Sequence, residues 1–155
     1  MKFTLCLALL SVLAGCARQR DLLPNEFLGL SLQKKLEGAE AVEFVDRMHL
    51  QKVASVKNEI GFYAGEKGKA TIYVTHYGDP ETAAAEEKKM TAKISPENSV
   101  FIMGEHKEID GKPIYRCFGM GQTHYVFSDR EQLFWISVET LMADSFIRAY
   151  LDYLK

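Results

Sequence analysis

The sequence predicts an α+β fold: an antiparallel sheet of about six strands with three helices packed against it, in the order α-β-β-α-β-β-β-β-α. Three observations carry this expectation. Apolar residues recur at helical spacing in three segments. Six segments rich in β-branched and aromatic residues lie between them. Tight turns join those segments in pairs, and strands joined so closely run antiparallel.

In chain order, Ala17 to Asn25 reads as a polar tether with Arg18, Arg20 and Pro24. Leu28, Leu30 and Leu32 alternate with Gly29 and Ser31, as in a short first strand or a strap across the core. From Gly38 to His49, Ala41, Val42, Val45 and Met48 keep helical spacing. Ser55 to Ala64 and Lys69 to Tyr77 read as a hairpin about Gly65-Glu66-Lys67-Gly68. Asp79-Pro80 opens the second helix, because Asp accepts from free N–H groups and Pro suits the first helical position. That helix runs to about Ile94, and Ser95-Pro96 ends it. Ala83, Ala84, Met90 and Ile94 give it a narrow apolar stripe.

Four strands follow. Val100 to Ile109 meets Pro113 to Gly119 through Asp110-Gly111, a strong hairpin signal. Gln122 to Phe127 meets Gln132 to Val138 through Ser128-Asp129-Arg130-Glu131. Gly119-Met120-Gly121 reads as a tight link or bulge between the two hairpins. The last helix spans about Thr140 to Leu154, with Ala143, Phe146, Ile147, Tyr150, Leu151 and Leu154 as its inward stripe.

The N-terminus has a different character. Lys2 is followed by an uncharged, largely apolar run from Phe3 to Val12 and then by Leu13-Ala14-Gly15-Cys16. A charged start, a short apolar stretch and a small-residue processing site define a secretory signal. The run is too short to span a bilayer, which takes about 20 residues. Leu13-Ala14-Gly15-Cys16 resembles the lipobox of bacterial lipoproteins at all four positions. The resemblance implies residues 1–15 as a signal peptide and a diacylglyceryl group on the Cys16 thiol. Cys16 would then begin a tether over 16–25, with a single domain over 26–155. Ala17 follows the cysteine where an Asp would favour inner-membrane retention, so the resemblance favours the outer membrane of a two-membrane envelope.

Composition bounds the rest. Of 155 residues 47% are hydrophobic and 26% charged, as in one ordinary globular domain. Removing Lys2 with the signal leaves 18 basic against 21 acidic side chains, a net charge of −3. That balance gives no basic face for nucleic acid. With Cys6 removed and Cys16 lipidated, Cys117 is the remaining thiol, so no internal disulfide is expected. It reads as a small buried hydrophobe.

No motif calls for a cofactor. His49, His76, His106 and His124 are scattered without metal-ligand spacing, so no metal site is expected. There is no G-x-S-x-G. Paired acids at Glu86-Glu87 and at Asp129 with Glu131 are read as facing water. The aromatics are the most suggestive feature. Tyr125 and Phe127 share one strand face and His124 and Val126 the other; Phe134, Ile136 and Val138 likewise oppose Leu133, Trp135 and Ser137. Both faces look partly apolar, as in a sheet covered by helices on both sides. Trp135, Tyr125, Phe118 and His124 are the candidate binding surface.

The first functional expectation is a membrane-tethered, non-enzymatic envelope domain that binds another envelope protein. The second is a carrier or sensor of a small hydrophobic ligand. The third is an enzyme with a spatially assembled site, using His124 with Cys117 or a nearby acid. The domain's element order is similar to that of small uncharacterised bacterial envelope α/β domains, from which no functional residue carries over.

Overall fold

The structure is a computed structural model that describes residues 21–49, 57–94 and 100–155. The strands are β1 (Glu26–Phe27), β2 (Leu30–Glu37), β3 (Asn58–Gly65), β4 (Gly68–His76), β5 (Ile102–Ile109), β6 (Lys112–Gly119), β7 (Gln122–Asp129) and β8 (Gln132–Glu139). The helices are α1 (Gly38–His49), α2 (Pro80–Lys93) and α3 (Ala143–Tyr153), the last entered through a 3₁₀ turn at Thr140–Met142. The signal peptide and the lipobox with Cys16 lie outside the described residues. So do Ser55, at the expected start of the first hairpin, and Ser95-Pro96, at the expected end of the second helix.

The fold class is α+β with one antiparallel sheet and three helices, as expected. The sheet has eight strands, not about six, in the order β1-β2-β3-β4-β8-β7-β6-β5. The two additional strands, β1 and β2, precede α1. A β-bulge hides β2 from an alternation reading: Leu32 pairs with Tyr63 but Lys34 pairs with Phe62, which leaves Gln33 over. An extra residue shifts every later side chain to the other face. Leu30 therefore lies in the core beneath α3, and Leu36 lies in the core beneath α1. In a regular strand residues six apart would share a face. Lys34 and Lys35 blur the signal further, and suit a strand at a sheet edge.

Each face of the sheet is covered. Alternation along β8 sends Phe134, Ile136 and Val138 to the core beneath α3, with Ile72 and Val74 of β4 and Tyr125 and Phe127 of β7. Phe127 and Phe134 stack with centroids 5.0 Å apart. Tyr150 of α3 donates its hydroxyl to the Leu22 carbonyl at 2.6 Å. Leu22 and Leu23, in the stretch read as tether, are buried in this core, so the packed domain reaches back to Leu22. A fully buried Leu or Phe contributes about 1.5–3 kcal/mol.

The opposite face carries α1 and α2. Ala41 of α1 is buried against Leu36 and Ile60, with Phe44 and Phe62 packed edge to face beside them. Phe44, not the expected Val42, completes that stripe. The Asp79 carboxylate caps α2, accepting from the Thr82 N–H at 2.7 Å and the Thr82 hydroxyl at 2.8 Å. Glu87 does not face water as expected; it accepts from the N–H and the hydroxyl of Ser128, both at 2.7 Å, and clamps α2 to β7. Tyr115 of β6 donates to the Ile94 carbonyl at 2.7 Å and fixes the end of α2.

Gly119-Met120-Gly121, expected as a link or bulge, holds the two-residue turn of a β6–β7 hairpin. Met120 and Gly121 have φ of 52° and 78°, and Asp110-Gly111 has 51° and 81°. Two successive positive φ values match the twist of a hairpin.

Candidate functional site

Between α1 and α2 the sheet floors a cavity of about 420 Å³, within the roughly 300–1,000 Å³ of ligand pockets. Its floor is Ile60 of β3, Tyr73 and Thr75 of β4, and Leu133, Trp135 and Ser137 of β8. Val45 and Met48 of α1 form one wall, and Met90 of α2 with Phe101 the other. Val100 and Met120 also line it. Met48, Val100 and Met120 keep 49%, 68% and 71% of their surface exposed. Three large apolar side chains from separate parts of the chain therefore ring the mouth.

The polar groups on the floor are matched to one another. His124 Nε2 lies 3.0 Å from the Gly119 carbonyl. A carbonyl only accepts, so Nε2 carries the proton and Nδ1 is an acceptor. Nδ1 then receives the Ser137 hydroxyl at 2.9 Å and the Trp135 indole N–H at 3.2 Å. Trp135 Nε1 also lies 3.1 Å from Ser137 Oγ. Burial pushes the His124 pKa down, against a smaller opposing effect of the Gly119 carbonyl. Thr75 donates to the Asn58 side-chain oxygen at 2.8 Å.

Cys117 pairs with His124 across β6 and β7, so the two do come together. Neither is in a reactive state. Cys117 is fully buried, and burial pushes its thiol up to about 11, where thiolate is scarce at neutral pH. Both nitrogens of His124 are engaged in the floor network. Among the described residues no three His, Cys, Asp or Glu side chains converge as metal ligands. His106 lies within β5 with its ring 5.0 Å from that of Tyr115.

The four candidate surface residues divide between the faces. Trp135 and His124 belong to the cavity. Tyr125 is fully buried on the α3 face, where its hydroxyl donates to Asp144 at 3.2 Å. Phe118 shares that face by alternation and lies half-buried, 5.1 Å from the Arg116 guanidinium. The aromatics of β6 to β8 therefore form no flat patch. Sequence reasoning missed Tyr73, Met90, Phe101 and Met120 as cavity residues. The only trace of Met120 was an apolar residue placed in a tight turn.

Two other features lie apart from this cavity. Glu59, on the α3 side by alternation, has Lys57 Nζ at 2.9 Å, His76 Nε2 at 2.9 Å and Lys35 Nζ at 3.2 Å. The His76 contact is close but too poorly aligned for a hydrogen bond. His76 foremost, then the two lysines, hold the Glu59 carboxyl far below its ordinary range against the effect of burial. This cluster is internally compensated. A depression of about 500 Å³ on the outer side of α1 is lined by Lys34, Glu40, Glu43 and Arg47 among others, and it lacks the apolar enclosure of the first.

No family model, curated protein or solved structure matches the chain. The functional reading therefore stands on geometry.

Proposed function

We propose that this chain is a lipid-anchored, non-enzymatic envelope domain that takes a small apolar ligand into the cavity between α1 and α2, as a carrier or sensor. The observation that supports it is the cavity itself: an apolar chamber over Trp135 and Leu133 whose mouth is ringed by exposed Met48, Val100 and Met120. Large apolar side chains left in water around an apolar opening are a feature of ligand grooves. The protein-partner reading has less support, since of the residues that motivated it Tyr125 is buried beneath α3, Trp135 and His124 belong to the cavity, and Phe118 alone stays half-exposed on the α3 face. The enzymatic reading has less again, given the states of Cys117 and His124. The proposed location is the membrane to which Cys16 is anchored, the outer one where two exist.

Trp135 is the single tryptophan of the chain, so its emission reports on the cavity floor. Titrating the full chain carrying Cys16→Ser with 1-aminoanthracene is expected to quench Trp135 saturably at one site. Val45→Phe, which adds bulk to the α1 wall, is expected to weaken binding by about tenfold, the equivalent of ~1.4 kcal/mol. Linear, unsaturable quenching that is identical in Val45→Phe would sink the reading.

A further inference from the structure

Resting on that reading, we infer that the occupant is a single unbranched hydrocarbon chain of the acyl type, lying lengthwise in the cavity with its polar head in water at the mouth.

Charge and hydrogen bonding argue for hydrocarbon. The floor's polar groups are engaged inside the protein: His124 with Ser137, Trp135 and the Gly119 carbonyl, Thr75 with Asn58, and the Tyr73 hydroxyl with the Met48 sulfur at 3.7 Å. A hydroxyl or carboxylate carried inward would have to break one of these bonds to find a partner. Glu59 lies beside the cavity in the chain, but its carboxylate points to the α3 side, where Lys35, Lys57 and His76 hold it. The lining thus offers a charged head nothing that water does not offer better.

Shape argues for a chain over a compact ring system. Leu133, Trp135 and Ser137 are alternate residues of one strand, so the lining runs about 14 Å along β8. A volume of about 420 Å³ spread over that length suits an extended chain better than a compact cage. The walls and rim carry Met48, Met90 and Met120, unbranched side chains that adjust to an occupant with many rotamers.

The test follows Trp135 emission in the full chain carrying Cys16→Ser, titrated with straight-chain alcohols from hexanol to dodecanol and with adamantanol as a compact cage. Affinity is expected to rise about fourfold per added methylene until the cavity is full, because each buried CH₂ contributes about 0.8 kcal/mol. Decanol, decanoate and decanoyl lysophosphatidylcholine are expected to bind within about threefold of one another, since the head stays outside. A lysolipid that fails while decanol binds would overturn the placement of the head at an open mouth. Binding of adamantanol and 1-aminoanthracene with no dependence on alcohol length would overturn the chain and leave the apolar-ligand reading standing. Failure of every probe, 1-aminoanthracene included, would remove both.

Discussion

His124 shows how one side chain sets the character of the cavity floor. It is nearly inaccessible to solvent, and its unprotonated Nδ1 is what the Trp135 N–H and Ser137 hydroxyl point at. A proton on Nδ1 would face two donors and lose both bonds. Burial depresses the folded pKa below the ordinary 6.5, so the unfolded chain takes up the proton first as pH falls. The sign follows: His124 contributes its full stability above about pH 6.5, and loses it progressively as pH drops from there to the folded pKa. Denaturant titrations of the wild type are expected to lose up to about 1.4 kcal/mol per pH unit to this group below pH 6.5. His124→Gln should flatten that limb, with His76 and His106 unchanged in both proteins as controls. An unchanged slope in the variant would mean that folding leaves the His124 pKa unshifted.

Met120 carries the argument to the hairpin that presents it. The first position of such a turn favours Asn, Asp or Gly, because an ordinary side chain at positive φ crowds its own carbonyl. Met120 stands there at φ 52° and projects an exposed thioether at the cavity mouth. Met120→Asn is expected to stabilise the hairpin by about 1 kcal/mol, raising Tm by roughly 2–4 °C in a chain of this size. The same change removes rim hydrocarbon and should weaken decanol binding severalfold. A variant that is more stable with undiminished affinity would show that the rim takes no part. Elements of this kind mark the limit of what the sequence makes legible. Asp79-Pro80, Asp110-Gly111 and the stripe of Phe146, Ile147 and Tyr150 act locally, so the three helices and the last four strands could be read from neighbouring residues. Of the strand β2 only the start was legible, in the alternation of Leu30 and Leu32; the bulge puts Leu30 and Leu36 on opposite faces and hides the rest. Trp135 and His124 were legible as candidates because alternation places them on one face. The cavity itself was not, since it exists only where α1, α2, β8 and the β6–β7 turn meet, and no local pattern records a gap between distant segments. Tyr125 and Phe118 lie on the other face from Trp135 and His124, because aromatics crowded along successive strands divide between the two faces.

For the molecule as a whole, the proposed lipid anchor is the feature that would place it at a membrane. Among the described residues no helix is long and apolar enough to cross one. Attachment is therefore proposed to rest on Cys16, which stands five residues before Asp21 in the chain. Asp21 and Leu22 are fastened to the α3 side, where Tyr153 donates to the Asp21 carbonyl at 2.7 Å and Tyr150 to that of Leu22. Five residues reach at most about 17 Å, so a lipid on Cys16 would lie within that distance of Asp21 on the α3 side, across the sheet from the cavity. That arrangement separates two contributions to membrane binding, the acyl groups at Cys16 and the apolar rim of Met48, Val100 and Met120. One acyl chain anchors only marginally and two or three hold stably, so removing them should outweigh any contribution of the rim. Fractionation and intact mass are expected to show wild-type protein in membranes, beginning at Cys16 with acyl groups added. Cys16→Ser should leave the membrane fraction after a salt wash. Retention of Cys16→Ser that is lost only when Met120→Asn is added would instead make the rim the membrane contact. An unmodified wild-type chain that still begins at Met1 would withdraw the anchor and leave the cavity to be explained without it.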